Sequence, residues 1–197
     1  MTSISNYENK MTKLKYNELS DETRSDFEKL FGERGACGGC WCMSWRLKKK
    51  DFEMGKSGEN KERMRARVTE GKTIGILGYI DGEPVGWCSI APREDFIRLE
   101  KSRVLKPVDD KPVWSVSCLF FKKDFRKKGL SSELLKLALQ FAGKKGAKIV
   151  EGYPTVPYDN DIPAAFAWTG IPSSFERAGF KEVARRSKAR PIMRYYL

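Results

Sequence analysis

The chain is expected to fold as a mixed α/β domain, a mostly antiparallel sheet with helices packed on its faces. Three observations point there. An Asp81-Gly82 pair sits between two apolar β-forming runs; a β-rich segment, Val113 to Phe121, alternates; and a strongly amphipathic stretch follows it between Gly129 and Gly143. A helix directly after a strand, followed by further strands, implies a sheet covered by helices rather than a bundle or a sandwich.

The elements follow in order. Lys13 to Tyr16 is a short strand candidate. Ser20 is read as an N-cap, with Asp21 and Glu22 favourably placed at the positive end of a helix that buries Phe27, Leu30 and Phe31 and stops at Gly32. Lys48 to Gly58, rich in Lys, Gly and Ser, reads as a loop. Asn60 is the expected cap of a second helix, Lys61 to Glu70. Strands Thr73 to Ile80 and Val85 to Ile90 then flank Asp81-Gly82, residues suited to the positive φ of a two-residue hairpin turn. The mixed charges from Arg93 to Asp110 predict a surface segment with some helix. In the helix from Gly129 to Gly143, Leu130, Leu134, Leu137, Ala138 and Phe141 share one face. Lys148 to Tyr153 is a strand stopped by Pro154, and a Pro-rich loop runs from there to Gly170. Ser173 to Ala178 is a short helix, and strands Phe180 to Arg185 and Pro191 to Leu197 complete the order.

Composition narrows the chemistry. The chain has 197 residues, enough for one domain, with 40% hydrophobic and 32% charged residues. No apolar run approaches the roughly 20 residues of a spanning helix, and the N-terminus lacks the pattern of a secretion signal, so a cytoplasmic location and no membrane partner are expected. The five cysteines are read as thiols. With no histidine in the chain, a Ser-His or Cys-His pair is excluded, and any general base must be a carboxylate, Tyr, Cys, Lys or water. A net charge of +12 suits a polyanionic ligand, although no nucleic-acid module accompanies it and nucleic acid is not the expected partner.

The junction Leu119-Phe120-Phe121-Lys122-Lys123-Asp124-Phe125-Arg126-Lys127-Lys128-Gly129-Leu130-Ser131 is a strand, a turn and a helix start. Unpaired N–H groups at such a start, together with the helix dipole, form an anion site. Gly129 permits close approach, Ser131 and Ser132 add hydroxyls, and Arg126, Lys127 and Lys128 raise the potential.

Here the chain resembles the GNAT N-acetyltransferase superfamily, whose motif Arg/Gln-x-x-Gly-x-Gly/Ala is met by Arg126, Gly129 and, with serine in the last place, Ser131. The Asp81-Gly82 hairpin, Val85-Gly86 and the closing Phe175-Glu176-Arg177-Ala178-Gly179-Phe180 stand in the family's order. The resemblance implies the acyl-CoA N-acyltransferase fold over a single domain of residues 1–197. Residues 71–197 would form the acetyl-CoA-binding core, and residues 1–70 the first strand, helices and acceptor-side loops. It implies acetyl transfer from acetyl-CoA, as co-substrate, to a small-molecule or peptide amine by direct attack; homodimers are common in the family. Residues Arg126 to Ser132 would hold the pyrophosphate, the backbone of Leu119, Phe120 and Phe121 would pair with the pantetheine arm, and the thioester would enter a splay between Phe121's strand and Lys148 to Tyr153. The tyrosine that often protonates the leaving thiolate is replaced by Phe175. Glu151 and Tyr153, across the splay, are then the candidate catalytic residues, with Glu70 a weaker one. A non-catalytic acyl-CoA-binding sensor is the alternative on the same fold.

Cys37-Gly38-Gly39-Cys40-Trp41-Cys42-Met43 is the least ordinary stretch. It resembles segments of an uncharacterised acetyltransferase subgroup. Three thiols in six residues fall short of the usual four zinc ligands, so no metal is expected. Trp41, Met43, Trp45 and Trp168 are expected to line an aromatic acceptor pocket.

Overall fold

The computed structural model describes residues 13–157 and 167–197; the N-terminal residues 1–12 and the part 158–166 of the Pro-rich loop lie outside the described residues. Seven strands form one sheet in the order β1-β2-β3-β4-β5-β7-β6: β1 Lys15–Glu18, β2 Gly75–Ile80, β3 Glu83–Pro92, β4 Trp114–Phe121, β5 Ile149–Gly152, β6 Lys181–Arg185 and β7 Pro191–Tyr196. Every pairing is antiparallel except β4 with β5. The helices are α1 Arg24–Phe31, α2 Lys49–Met54, α3 Glu59–Thr69, α4 Ile97–Glu100, α5 Leu130–Lys144 and α6 Pro172–Arg177. Among the described residues no helix is long and apolar enough to cross a membrane.

The hairpin forms as its turn chemistry demands. Asp81 and Gly82 have φ of 48° and 80°, the two positive values of the turn whose twist matches the strands it joins. Helix α5 lies where the periodicity places it, but its buried face includes Leu135, Leu139 and Ala142 beside Leu134, Ala138 and Phe141, while Leu130 and Leu137 sit at its margin. With α6 it covers one side of the sheet, packing on Ile76, Val85, Ile90, Val116, Leu119 and Phe121. Each fully buried Leu or Phe there contributes about 1.5–3 kcal/mol.

Two clusters cover the other side. One joins α1 and α3 to Trp41, Met43, Trp87 and Cys118; the other joins Phe96, Leu99 and Leu105 to Tyr153 and Ile192. The second narrows the reading of Arg93 to Asp110 as a surface segment: Phe96, Leu99 and Leu105 are buried anchors, while Ile97 and most of the charged residues stay exposed. Lys48 to Gly58 is likewise no open loop: Phe52 is buried and anchors α2. Asn60 does not cap α3 but lies inside it, buried, its amide donating to the carbonyls of Gly39 and Phe52 at 3.0 Å each. Thr23, not Ser20, occupies the cap position of α1, and its hydroxyl accepts from the Ser20 N–H at 3.0 Å and donates to the Glu18 carbonyl at 2.7 Å.

Two glycines give opposite expectations. A β-carbon on Gly152 would stand 2.0 Å from Phe175 Cε1, inside a fully buried contact, whereas one on Gly143, on helix α5, would meet Leu197 at an ordinary 3.7 Å. Gly152→Ala is expected to lower the unfolding free energy by about 1–3 kcal/mol through overpacking, and Gly143→Ala to raise it by about 0.5–1 kcal/mol. Urea midpoints of the two variants check this, and a neutral Gly152→Ala would contradict the packing described.

Candidate active site

The site begins with a break in strand pairing. On β3, Ser89 faces Cys118 and the next residue, Ile90, faces Val116, so Ser117 is an extra residue in β4. A bulge of this kind bends its strand and re-aims side chains. Pairing between β4 and β5 covers only Trp114 to Val116 against Val150 to Gly152 and stops one residue before the bulge. From Ser117 to Phe121, β4 has β3 on one side and no strand on the other. The Phe175 ring packs on Gly152, and Gly170 approaches both Phe175 and Leu119, so the two strands part around a buried aromatic wedge.

The open edge leads into the basic loop. Leu119 and Phe121 point into the α5 side of the core and Phe120 packs 5.5 Å from Phe31, which leaves only their backbone for a ligand. Lys127 and Gly129 have φ of 59° and 77°. Left-handed residues alternating with ordinary ones turn successive N–H groups to one side, a concave anion nest. Among the described residues, the N–H groups of Lys127, Lys128, Gly129, Leu130 and Ser131 meet no backbone acceptor, and α5 directs its positive end at the same place. The space beside the Gly129 α-carbon is empty. Arg126 donates from Nε to the Phe121 carbonyl at 2.8 Å and stacks over Phe120, tying loop to strand. Ser132 differs from its expected role: its hydroxyl is buried and donates to the Gly129 carbonyl at 2.8 Å. It braces the turn, whereas Ser131 remains half-buried at its rim.

Glu151 and Tyr153 come together, but not in a cleft. They are 0% and 1% exposed. Glu151 Oε1 accepts from Arg194 Nε at 2.7 Å; Oε2 accepts from the Tyr153 hydroxyl at 2.7 Å and faces Arg93 Nη1 at 3.4 Å. Tyr153 thus spends its single proton on Glu151, and its oxygen accepts from Arg93 at 2.6 Å and from Ser115 at 2.8 Å. Burial and the neighbouring carboxylate push this phenol well above its ordinary range. Arg194 continues to Asp109, whose carboxyl it holds down at about 2. The result is a network whose centre, Glu151 and Tyr153, is buried and fully engaged, and whose ends, Asp109 and Glu100, reach the surface. Glu70 is exposed at the end of α3, and Phe175 is completely buried.

Corrections also apply on the opposite side of the notch. Trp41 and Met43 are core residues, 4% and 1% exposed, with Trp41 stacked on Phe31 at 5.8 Å. Only Trp45 and Trp168 remain half-exposed, as a tilted pair 6.0 Å apart. The five cysteines are free thiols, and among the described residues no cluster of ligands suited to a metal ion is present. Sequence reasoning missed the buried arginines Arg46, Arg93 and Arg194, of which Arg46 donates to Ser89 and the other two meet at Glu151. Only the apolar neighbours of Arg46 and Arg194 in the chain hinted at inward-facing cations.

The chain was then compared with known proteins. The model of the Acetyltransferase (GNAT) family matches residues 41–166, well over half of the chain. No curated protein matches it in sequence. Among solved structures, a PaiA N-acetyltransferase from Thermoplasma acidophilum in complex with coenzyme A is similar, with TM-score 0.51, 14% identity and coverage of 94% of this chain and 99% of that one. A GNAT-family acetyltransferase from Listeria monocytogenes gives TM-score 0.56 at 12% identity, covering 93% and 95%. The aminoglycoside acetyltransferase AAC(6')-Ib in complex with coenzyme A and kanamycin gives 0.52 at 11%, also covering 93% and 95%. At such identities these likenesses show a shared fold.

Glu151→Gln is expected to destabilise the protein by about 3–5 kcal/mol, since it leaves two buried guanidinium groups facing a neutral amide; an unchanged denaturation midpoint would contradict that. The lowered Asp109 carboxyl sets the sign of an acid effect. Stability from the Asp109–Arg194 pair is complete above the ordinary carboxylate value and is lost as pH falls toward about 2. Urea midpoints measured down this range should drop, with a shallower drop in Asp109→Asn.

Proposed function

The chain belongs to the acetyltransferase (GNAT) family, and from that premise we propose that the Arg126–Ser131 loop holds the pyrophosphate of acetyl-CoA while the open edge of β4, Leu119 to Phe121, takes its pantetheine arm as an added strand. The protein is an acetyl-CoA-dependent N-acetyltransferase, with acetyl-CoA as co-substrate. The observation that carries the site assignment is the run of unpartnered N–H groups from Lys127 to Ser131 at the start of α5. A pyrophosphate satisfies such donors better than water does, because the dipole and three cationic side chains act on the same point. Ser132 supports the loop from behind.

In this reading the thioester lies where β4 and β5 part, near Ser117 and Gly152. The amine nitrogen attacks the acetyl carbon, the C–S bond breaks, and the coenzyme leaves as a thiolate. Glu151 has both oxygens engaged by Arg194, Tyr153 and Arg93, and Tyr153 is committed to Glu151. We assign the pair to holding β5 and β7 in place at the end of the splay, and the amine proton to solvent. This revises the catalytic role that sequence reasoning expected of them.

The acceptor is read as a small-molecule amine that meets the Trp45–Trp168 pair. Of the solved relatives, the AAC(6')-Ib complex holds kanamycin, which supports small amines as the class. Among the described residues, two cations lie near this pair, Arg98 over Trp45 at 5.4 Å and Arg190 against Thr169 at 3.2 Å. They favour an acceptor with an apolar body and few positive charges.

Gly129→Glu is expected to abolish coenzyme A binding measured by calorimetry, since it sets a carboxylate where the phosphate would lie, while Ser132→Ala should weaken binding only modestly. A folded Gly129→Glu protein with unchanged affinity would refute the assignment. Free-thiol release from acetyl-CoA across a panel of amines tests transfer and its acceptor.

A further inference from the structure

One group of side chains takes no part in the proposed transfer: the thiols between the sheet and the loop that follows α1. Cys42 sits on that loop with φ of 55°, and Trp41 before it has φ of 44°. Left-handed backbone costs about 1–2 kcal/mol for a residue with a β-carbon, and such strain is retained where the surroundings demand a particular side-chain position. Here the backbone turns the Cys42 side chain down onto β3 and β4, where it is 4% exposed.

Everything that meets its sulfur there is a donor. The Trp87 indole N–H donates to it at 3.2 Å. Ser89 Oγ already accepts from Ser117 Oγ at 2.9 Å and from Arg46 Nη2 at 3.4 Å, which leaves its own proton as a further donor on this face. Cys118, the partner of Ser89 across the ladder, lies in the same buried cluster as Cys42 and Trp87. Arg46, buried and with an Nε that has no other partner, adds positive charge. These groups favour the thiolate form of Cys42, and their effect appears in acidity. Hydrogen bonding from Cys118, then from Trp87, with the Arg46 charge and Ser89, outweighs burial and brings the Cys42 thiol down to about 7, while Cys118 is pushed well above the ordinary thiol range by Cys42 and by burial.

The bulge creates this pair. Regular alternation along β4 would send Ser117 and Cys118 to opposite faces. With Ser117 as an extra residue, both lie on the face toward Cys42, Ser117 bonded to Ser89 and Cys118 in the cluster of Trp87. A thiol drawn toward its thiolate form, in one buried cluster with a second, protonated thiol, is the arrangement of an oxidisable pair.

We propose that Cys42 and Cys118 form an oxidative modification site for small hydroperoxides, with Cys42 as the reacting thiolate and Cys118 as the resolving thiol. The Cys42 sulfur attacks a peroxide oxygen; an S–O bond forms, the O–O bond breaks, and hydroxide or alkoxide departs. The Cys118 sulfur then attacks the Cys42 sulfur of the resulting sulfenic acid. The S–S bond forms, the S–O bond breaks, and the hydroxyl leaves as water with the Cys118 proton. Two electrons pass from the sulfurs to the peroxide, and the product ties the loop to the stretch of β4 beyond its bulge. Cys37, which is exposed, and Cys40, whose thiol burial pushes up to about 12, are not required.

The test uses full-length protein carrying Cys37→Ser and Cys40→Ser, treated in its native state with hydrogen peroxide, then unfolded, alkylated with iodoacetamide and mapped by mass spectrometry. The expected product is a linked peptide pair containing Cys42 and Cys118, reversed by dithiothreitol, with Cys88 still alkylated in full. In the further variant Cys118→Ala, or Cys118→Ser should that fold better, Cys42 should instead yield a dimedone adduct, formed at least about tenfold faster than any at Cys88. Full alkylation of both cysteines after peroxide, linkage through Cys88, or oxidation of Cys42 to the sulfinic acid without linkage would each overturn the proposal. The readout is chemical and independent of coenzyme A, so it stands or falls separately from the transferase site.

Discussion

One extra residue in β4 governs the rest of the molecule. Without Ser117 the strand would continue its pairing with β5, and a continuous sheet has no free edge in its interior. The bulge ends that pairing at Val116 and Gly152, and among the described residues no strand pairs with the outer half of β4 on that side, where Ala167–Thr169 lies beside it. Main-chain donors and acceptors in the middle of a domain need partners, and an extended ligand can supply them. Phe175 then keeps the strands apart from the α5 side, where it fills the space that the missing side chain of Gly152 leaves open. Phe175 is therefore part of the scaffold of the opening.

The same irregularity organises the polar interior. Residues before the bulge send Ser115 to the Tyr153–Glu151–Arg93 group, and residues at the bulge send Ser117 and Cys118 to Ser89, Arg46 and Cys42. Both groups bury arginine and give it acceptors from several parts of the chain, although the Arg46 Nε–H keeps no partner. A buried guanidinium is tolerable only when most of its N–H groups are used. These networks therefore fix the positions of β5, β7 and the cysteine loop relative to β4 more sharply than apolar packing alone would. Arg46 reaches Asp95 and the Ile74 carbonyl at 3.0 Å each, so the loop that carries Cys42 is bound to the segment beyond β3 as well as to the sheet.

Legibility in the sequence varied with how local each feature is. The Asp81-Gly82 turn, α5 and the Arg126–Ser131 loop are set by neighbours in the chain, through backbone preference and side-chain period, and they stand where they were expected. Lys48 to Gly58 failed because one apolar residue, Phe52, decides it, and a single anchor makes no period. Asn60 was misread because capping residues and buried amides look alike until Gly39 is brought beside α3. Trp41 and Met43 were expected at a pocket, but aromatic and sulfur side chains next to glycines serve packing equally well, and only the approach of Phe31 and Trp87 settles which.

By itself, then, the sequence determined the order of the strands, the hairpin, the amphipathic helix and the basic turn at its head, because each depends on contacts within a few residues. It also determined that no histidine chemistry takes place. The tertiary structure decided which polar residues are inside. Glu151 meets Arg194 across 43 positions and Arg93 across 58, and Trp87 meets Cys42 across 45. Whether a carboxylate is a free base or a closed ion pair, and whether a thiol is inert or ionised, depends on burial and on charges that reach it from distant parts of the chain, and no local pattern of residues encodes those.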